Sequence, residues 1–207
     1  MSGNNGWAYD WEGREFPIGK YNFKVETQLS EWVDDVLAQR HVLTLAHYLN
    51  DDIPVMLKIR YEYVAHYVCR LLLCYTSYIC IDRLNPKHFP LGDDLADTIR
   101  TGERHVLFKA SLYDVIHGIG HGPEVMMVTK CNQEQWMPYP GRQIFFTVLN
   151  RVPGEDVSQI RNRLSTPERR RIRSQLAYIL ETMADKNRVL RKADLSFLRW
   201  DGQSGKL

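Results

Sequence analysis

Two periods of hydrophobic and polar positions divide this chain. An apolar, β-prone run (Ile144, Phe145, Phe146, Thr147, Val148, Leu149) predicts a buried strand that stops at Asn150-Arg151. Pro153-Gly154-Glu155 follows at once as a turn, and a helical pattern comes after it. A strand delivered through a Pro-Gly turn into a helix suits a joint between two layers or lobes. Ile53 to Arg60 (IPVMLKIR) predicts another strand, with Lys58 inside its apolar run, and Glu124 to Thr129 (EVMMVT) a third. Ser30 to Leu49 reads as a helix. Ser30 caps it, Glu31, Asp34 and Asp35 sit early, and Val33, Val36, Leu37, Arg40, Leu43 and Ala46-His47 form an approximate stripe. Leu95 to Ile116 reads as a second helix, with a break near Thr101-Gly102. Ser165-Thr166-Pro167-Glu168 is a capping box with Pro in the first turn. The helix it opens carries Ile172, Leu176, Ile179, Leu180 and Met183 on one face and ends at about Asp185.

The remaining stretches carry weaker signals. Residues 1–28, rich in Gly, Asn and aromatics, read as a partly ordered lead-in. Gly13 to Tyr21 superficially resembles a phosphate loop, but five residues separate Gly13 from Gly19 and Tyr21 follows Lys20, so a plain turn is expected. Tyr61 to Asp82 is largely apolar, yet His66, Arg70 and several hydroxyls interrupt it. A packed helix is expected there rather than a membrane span of about 20 apolar residues. Arg83 to Asp94 reads as a loop. His117 to Pro123 (HGIGHGP) reads as a helix-ending glycine turn; His117 and His121 lack an evident third metal ligand. Cys131 to Arg142 is a polar link, and Val189 to Leu207 a short strand followed by turns.

Composition narrows the function classes only a little. The 207 residues are 44% hydrophobic and 25% charged, which allows one sizeable core or two small lobes. A formal charge of +2 gives no reason to expect a nucleic-acid or membrane partner. Cys69, Cys74, Cys80 and Cys131 form no C-x-x-C pair, and the first residues show no signal pattern. A cytoplasmic protein with reduced cysteines is the default. The run Arg169, Arg170, Arg171, Arg173 reads as a solvated helix face.

In order, the chain reads Lys strand, helix with Glu103, Gly-Pro turn, strand pair, V-P-G-E turn, capped helix, then A-D-L-S, W-D and S-G-K-L. This resembles the kinase-like superfamily of the aminoglycoside or choline phosphotransferase type, including its fungal kinase-like relatives. The resemblance covers about Ile53 to Leu207, apart from the region 61–91. It implies an α+β fold: a protein-kinase-like small lobe, mainly antiparallel sheet plus helix, followed by the start of a helical large lobe. The corresponding division is 1–28 lead-in, 29–152 small lobe with an atypical insert at about 61–91, and 153–207 hinge and partial large lobe. The resemblance further implies ATP with Mg2+. Lys58 would hold the nucleotide phosphates, Glu103 would fix Lys58 by an ion pair, and Leu149, Asn150, Arg151 and Val152 would line the adenine cleft. Asp194 would take the place of the catalytic Asp.

The chain departs from the family pattern around Asp194. Lys192 stands where the family has His, and Arg199 where an Asn would bind magnesium; Trp200-Asp201 comes two residues early. Leu207 falls where a strand carrying the metal-binding Asp would begin. Two functions are therefore expected. The first is an ATP-dependent phosphotransferase by descent, incomplete or inactive as this chain. The second is a non-catalytic pseudokinase or protein-binding module, whose helix 165–185 would leave an apolar stripe exposed for a protein partner or a second copy.

Overall fold

A computed structural model describes residues 6–34, 37, 39–62, 93–188 and 198–207. The fold is mixed α+β, with a mostly antiparallel six-stranded sheet plus helices. The chain divides into two compact units, 1–107 with 127–148 and 108–126 with 149–207. The packed helix expected at 61–82 and the loop at 83–94 fall mainly at 63–92, outside the described residues. Among the described residues, no helix is long and apolar enough to cross a membrane.

The sheet is built from β1 (Glu15–Ile18), β2 (Tyr21–Asp34), β3 (Gln39–Tyr48), β4 (Pro54–Glu62), β5 (Val125–Asn132) and β6 (Gln143–Asn150). Their order across it is β1-β2-β3-β4-β6-β5. Helix α1 (Asp93–Gly118) enters the sequence between β4 and β5. The expected turn in Gly13 to Tyr21 is present: Gly19-Lys20 closes a two-residue hairpin between Ile18 and Tyr21, with Gly19 at φ 62.

The helix expected over Ser30 to Leu49 is instead a hairpin of strands, β2 into β3, paired from Phe23↔Tyr48 to Asp34↔Gln39. The physical reason lies in β3. Val42, Thr44, Ala46 and Tyr48 are buried while Leu43, Leu45 and His47 are half-buried, a period of two. The apolar positions 42, 43, 45 and 46 fit either period. Pairing with β2 on one side and β4 on the other satisfies the backbone and decides for strand. Two register shifts, at Val25/Thr27 and Gln28/Ser30, bend β2 where it runs past the end of β1.

Residues 6–28, expected as a lead-in, belong to the core. Trp11, Phe16, Ile18, Phe23 and Val25 pack with Leu57, Ile59, Ile144 and Phe146 on one face of the sheet. Helix α1 is also continuous through Thr101-Gly102, where a break was expected. A Cβ on Gly102 would lie 2.6 Å from Gln39 Nε2. The glycine thus serves close approach of helix to sheet rather than termination. The helix ends as expected at Gly118, where Gly120 N–H donates to His117 O at 2.8 Å and His121 N–H to Ile116 O at 3.0 Å.

The second unit holds β7 (Glu155–Asp156), α2 (Val157–Ile160), α3 (Thr166–Asp185) and β8 (Arg199–Trp200). The capping box at Ser165 forms as expected: Ser165 Oγ accepts from Glu168 N–H at 3.4 Å, and Glu168 Oε2 accepts from Ser165 N–H at 2.8 Å. Ser165→Ala is expected to cost about 1 kcal/mol, read as a lower urea midpoint at unchanged slope. The expectation of an exposed apolar stripe on this helix is corrected. Ile172, Ile179 and Met183 are buried, and Ile172 packs with Val157, Ile160, Leu164 and Trp200. Tyr178 and Leu180 are the large hydrophobic side chains of α3 that remain exposed.

Candidate functional site

Lys58 lies on β4, which has β3 and β6 as its two neighbours, so it does not sit on an edge strand. Alternation along β4 sends Val55, Leu57, Ile59 and Tyr61 into the aromatic core. It places Met56, Lys58, Arg60 and Glu62 on the opposite face. Lys58 is half-buried there, while Arg60 and Glu62 are buried. Across the register, Leu43 stands beside Lys58, His41 beside Arg60 and Gln39 beside Glu62. Burial lowers the Arg60 guanidinium to about 10, with Asp34 opposing that shift. The sheet therefore has one apolar face and one with a polar row of charges and amides.

Glu103 comes from α1 to this polar row. It forms an ion pair with Lys130 of β5. Gly102 packs on Gln39, which is paired with Glu62. Glu103 thus sits toward the Glu62 end of β4, and the Lys58 Cα is four residues along that strand, about 13 Å away at strand rise. Lys130 was not singled out from the sequence. Its signal was the single cation of β5, on a strand next to the apolar run 144–149.

In the second unit, the segment 149–152 begins with Leu149, fully buried at the end of β6. Asn150 is tied twice to the Glu124 main chain: its N–H donates to Glu124 O at 3.1 Å, and its side-chain Oδ1 accepts from Glu124 N–H at 2.6 Å. Arg151 is exposed and Val152 half-buried. Gly154 is the pivot of the V-P-G-E turn, at φ 94. A Cβ there would come 2.5 Å from Trp200 O. Gly154→Ala is expected to destabilise this unit by about 1–3 kcal/mol, through a left-handed backbone and a main-chain clash. Thermal unfolding of the variant checks it.

Asp194 lies in 189–197, outside the described residues, as does Lys192. Arg199, at the position the resemblance gives to a magnesium-binding Asn, instead donates from its guanidinium to Gly154 O. Its strand pairs Asp156↔Arg199 and Glu155↔Trp200. Asp201 turns its carboxylate onto its own loop, accepting from Gln203 N–H at 3.0 Å and Ser204 Oγ–H at 2.6 Å. Those bonds lower its pKa below the usual range. The W-D and S-G-K-L residues thus form a stitched turn. Glu168, Arg171, Trp200, Gly202 and Gly205 line a shallow concavity of about 220 Å³ beside it. Among the described residues, no group of three His, Cys, Asp or Glu is placed to hold a metal ion.

No protein-family model matches this chain, and no curated protein matches it.

Proposed function

We propose that this chain is a kinase-like domain of the aminoglycoside phosphotransferase type, a phosphotransferase by descent that retains nucleotide binding and lacks turnover. The observation that carries the reading is Lys58: a half-buried lysine on a central strand, on the polar face of an antiparallel sheet. A helix bearing Glu103, two further strands, the V-P-G-E turn and a capped helix follow it in that order. In this reading Lys58 holds the ATP phosphates as a point charge. The resemblance assigns Glu103 to an ion pair with Lys58, and Leu149, Asn150, Arg151 and Val152 to the adenine.

Two features favour the non-catalytic form. In sequence, residues 34–39 read D-D-V-L-A-Q, with two acids and no glycine. A backbone loop that closes over phosphates relies on glycine, and two acids repel a triphosphate. Arg199, meanwhile, is committed to the Gly154 carbonyl. With Asp194 as the remaining candidate for orienting a substrate hydroxyl, Mg2+ contributes through the nucleotide it accompanies. A cytoplasmic location accords with an ATP ligand. Tyr178 and Leu180, exposed on α3, favour a protein partner or a second copy as the alternative role.

The test is thermal unfolding with ATP, with and without Mg2+, on this chain and on Lys58→Ala. A ligand that binds only the folded state raises stability by about 2.7 kcal/mol at one hundred times its Kd. The expected result is a raised midpoint for the wild type and none for Lys58→Ala. A shift dependent on Mg2+ would restore a metal site to the reading. No shift in either protein would overturn the nucleotide role and leave the partner-binding one, for which light scattering and α3 variants at Tyr178 are the check.

A further inference from the structure

Neighbouring residues of β3, β4 and β6 each carry a buried side-chain oxygen that, among the described residues, receives no proton. Gln39 stands opposite Glu62 in the β3–β4 register. From β6, the Gln143 N–H donates to Glu62 Oε2 at 3.2 Å. Glu62 Oε1, Gln39 Oε1 and Gln143 Oε1 are all buried without a hydrogen-bond partner among the described residues. Glu62 is 7% exposed and Gln39 1%. The nearby Gln133 amide cannot serve them, because its Nε2 is spent on the main-chain oxygens of Glu62 and Gln143 at 3.1 and 3.3 Å. Helix α1 covers this spot, with Gly102 against Gln39 and Glu103 joined to Lys130.

Burying acceptors without a donor is costly, and a bare carboxylate oxygen is the costliest of them. A carboxylic acid supplies the missing donor, since its O–H can satisfy an amide oxygen while its other oxygen still accepts from Gln143 N–H. We propose that Glu62 is a proton switch beneath α1: as an acid it bridges to the amide oxygen of Gln39 or Gln143 and seats the helix, and as a carboxylate it repels Glu103 and loosens it.

The charges that face Glu62 agree with this assignment. Burial raises its pKa most; the Gln143 N–H, Arg142 and Lys130 lower it, Glu103 raises it, and the net direction is upward from 4.5. The sign for stability follows. A raised pKa in the folded chain means that the stabilisation is fully present below the ordinary glutamate value. It is lost as pH rises through the folded one. The switch operates without bound nucleotide.

The test is amide hydrogen exchange of residues 97–107 in the full chain from pH 4 to 8, corrected for intrinsic exchange. In the wild type the opening constant is expected to rise with pH, by up to about tenfold per unit between the ordinary and the folded pKa of Glu62. In Glu62→Gln, whose amide donates where the acid did, it is expected to stay flat and lower at neutral pH. An identical pH dependence in both proteins, or none in the wild type, would overturn the switch. Should Glu62→Gln not fold, the carboxyl carbon of Glu62 in the wild type decides by NMR. Titration above the usual glutamate range supports the switch, and titration at or below it removes it.

Discussion

Replacing Trp11 with alanine is expected to cost about 3–5 kcal/mol, the range for deleting a buried aromatic side chain. Trp11 has no exposed surface. It meets Tyr9 edge-on at 5.0 Å, Phe16 at 5.7 Å and Trp136 at 6.0 Å, and a tilted Tyr61 at 5.9 Å. Its main-chain N–H donates to Gln28 Oε1 at 3.1 Å, which ties the segment before β1 to β2. For a chain of this size, the thermal midpoint should fall by roughly 10 °C. Trp11→Phe should lose far less, because the buried indole Nε1 has no hydrogen bond to forfeit among the described residues. If Trp11→Ala unfolded within a degree or two of the wild type, the segment before β1 would not be part of the core.

The second large effect is expected at Gln133. This buried side chain donates to Glu62 O and Gln143 O and accepts from Tyr139 N–H at 3.0 Å. It therefore joins β4, β6 and the loop between β5 and β6. Gln133→Ala leaves two carbonyls and one N–H without their partner, each worth about 1–3 kcal/mol when orphaned. Partial relaxation makes the expected total about 2–4 kcal/mol. Gln133→Glu should be at least as damaging at neutral pH, because it keeps the acceptor for Tyr139 but turns a negative charge onto two carbonyl oxygens. Urea titration of both variants decides. An alanine variant as stable as the wild type would mean that water or a neighbour takes over all three bonds.

Legibility from sequence followed the strength of the local signal. The strands at 53–60 and 144–149 and the helix opened by Ser165 were readable because pattern and punctuation agreed: largely apolar, β-prone runs in the first two, a cap plus Pro plus an apolar stripe in the third. The Ser30–Leu49 segment misled because its acids and apolar residues fit a helix, while the decisive interactions are cross-strand ones with β4, a separate segment of the chain. Trp11 was missed for a related reason. The aromatics scattered through this Gly- and Asn-rich stretch show no period, and the burial of Trp11 depends on Trp136 and Tyr61, far along the chain.

The candidate site was legible only in part. Lys58 stood out as the single charge in an apolar run, and the structure places it on a central strand. The partner of Glu103 was not legible, because which of two lysines a helix reaches depends on where Gly102 lets it settle on Gln39. The acceptor group of Gln39, Glu62 and Gln143 was invisible as well, since it exists only through the register of three strands.

The nucleotide role of Lys58 is the central claim, and equilibrium titration with ATP tests it most directly, on the wild type, Lys58→Ala and Lys130→Ala. Saturable binding to the wild type and to Lys130→Ala, with at least about tenfold loss in Lys58→Ala (1.4 kcal/mol or more), is the expected result. No binding to the wild type, or equal affinity in all three proteins, would contradict it.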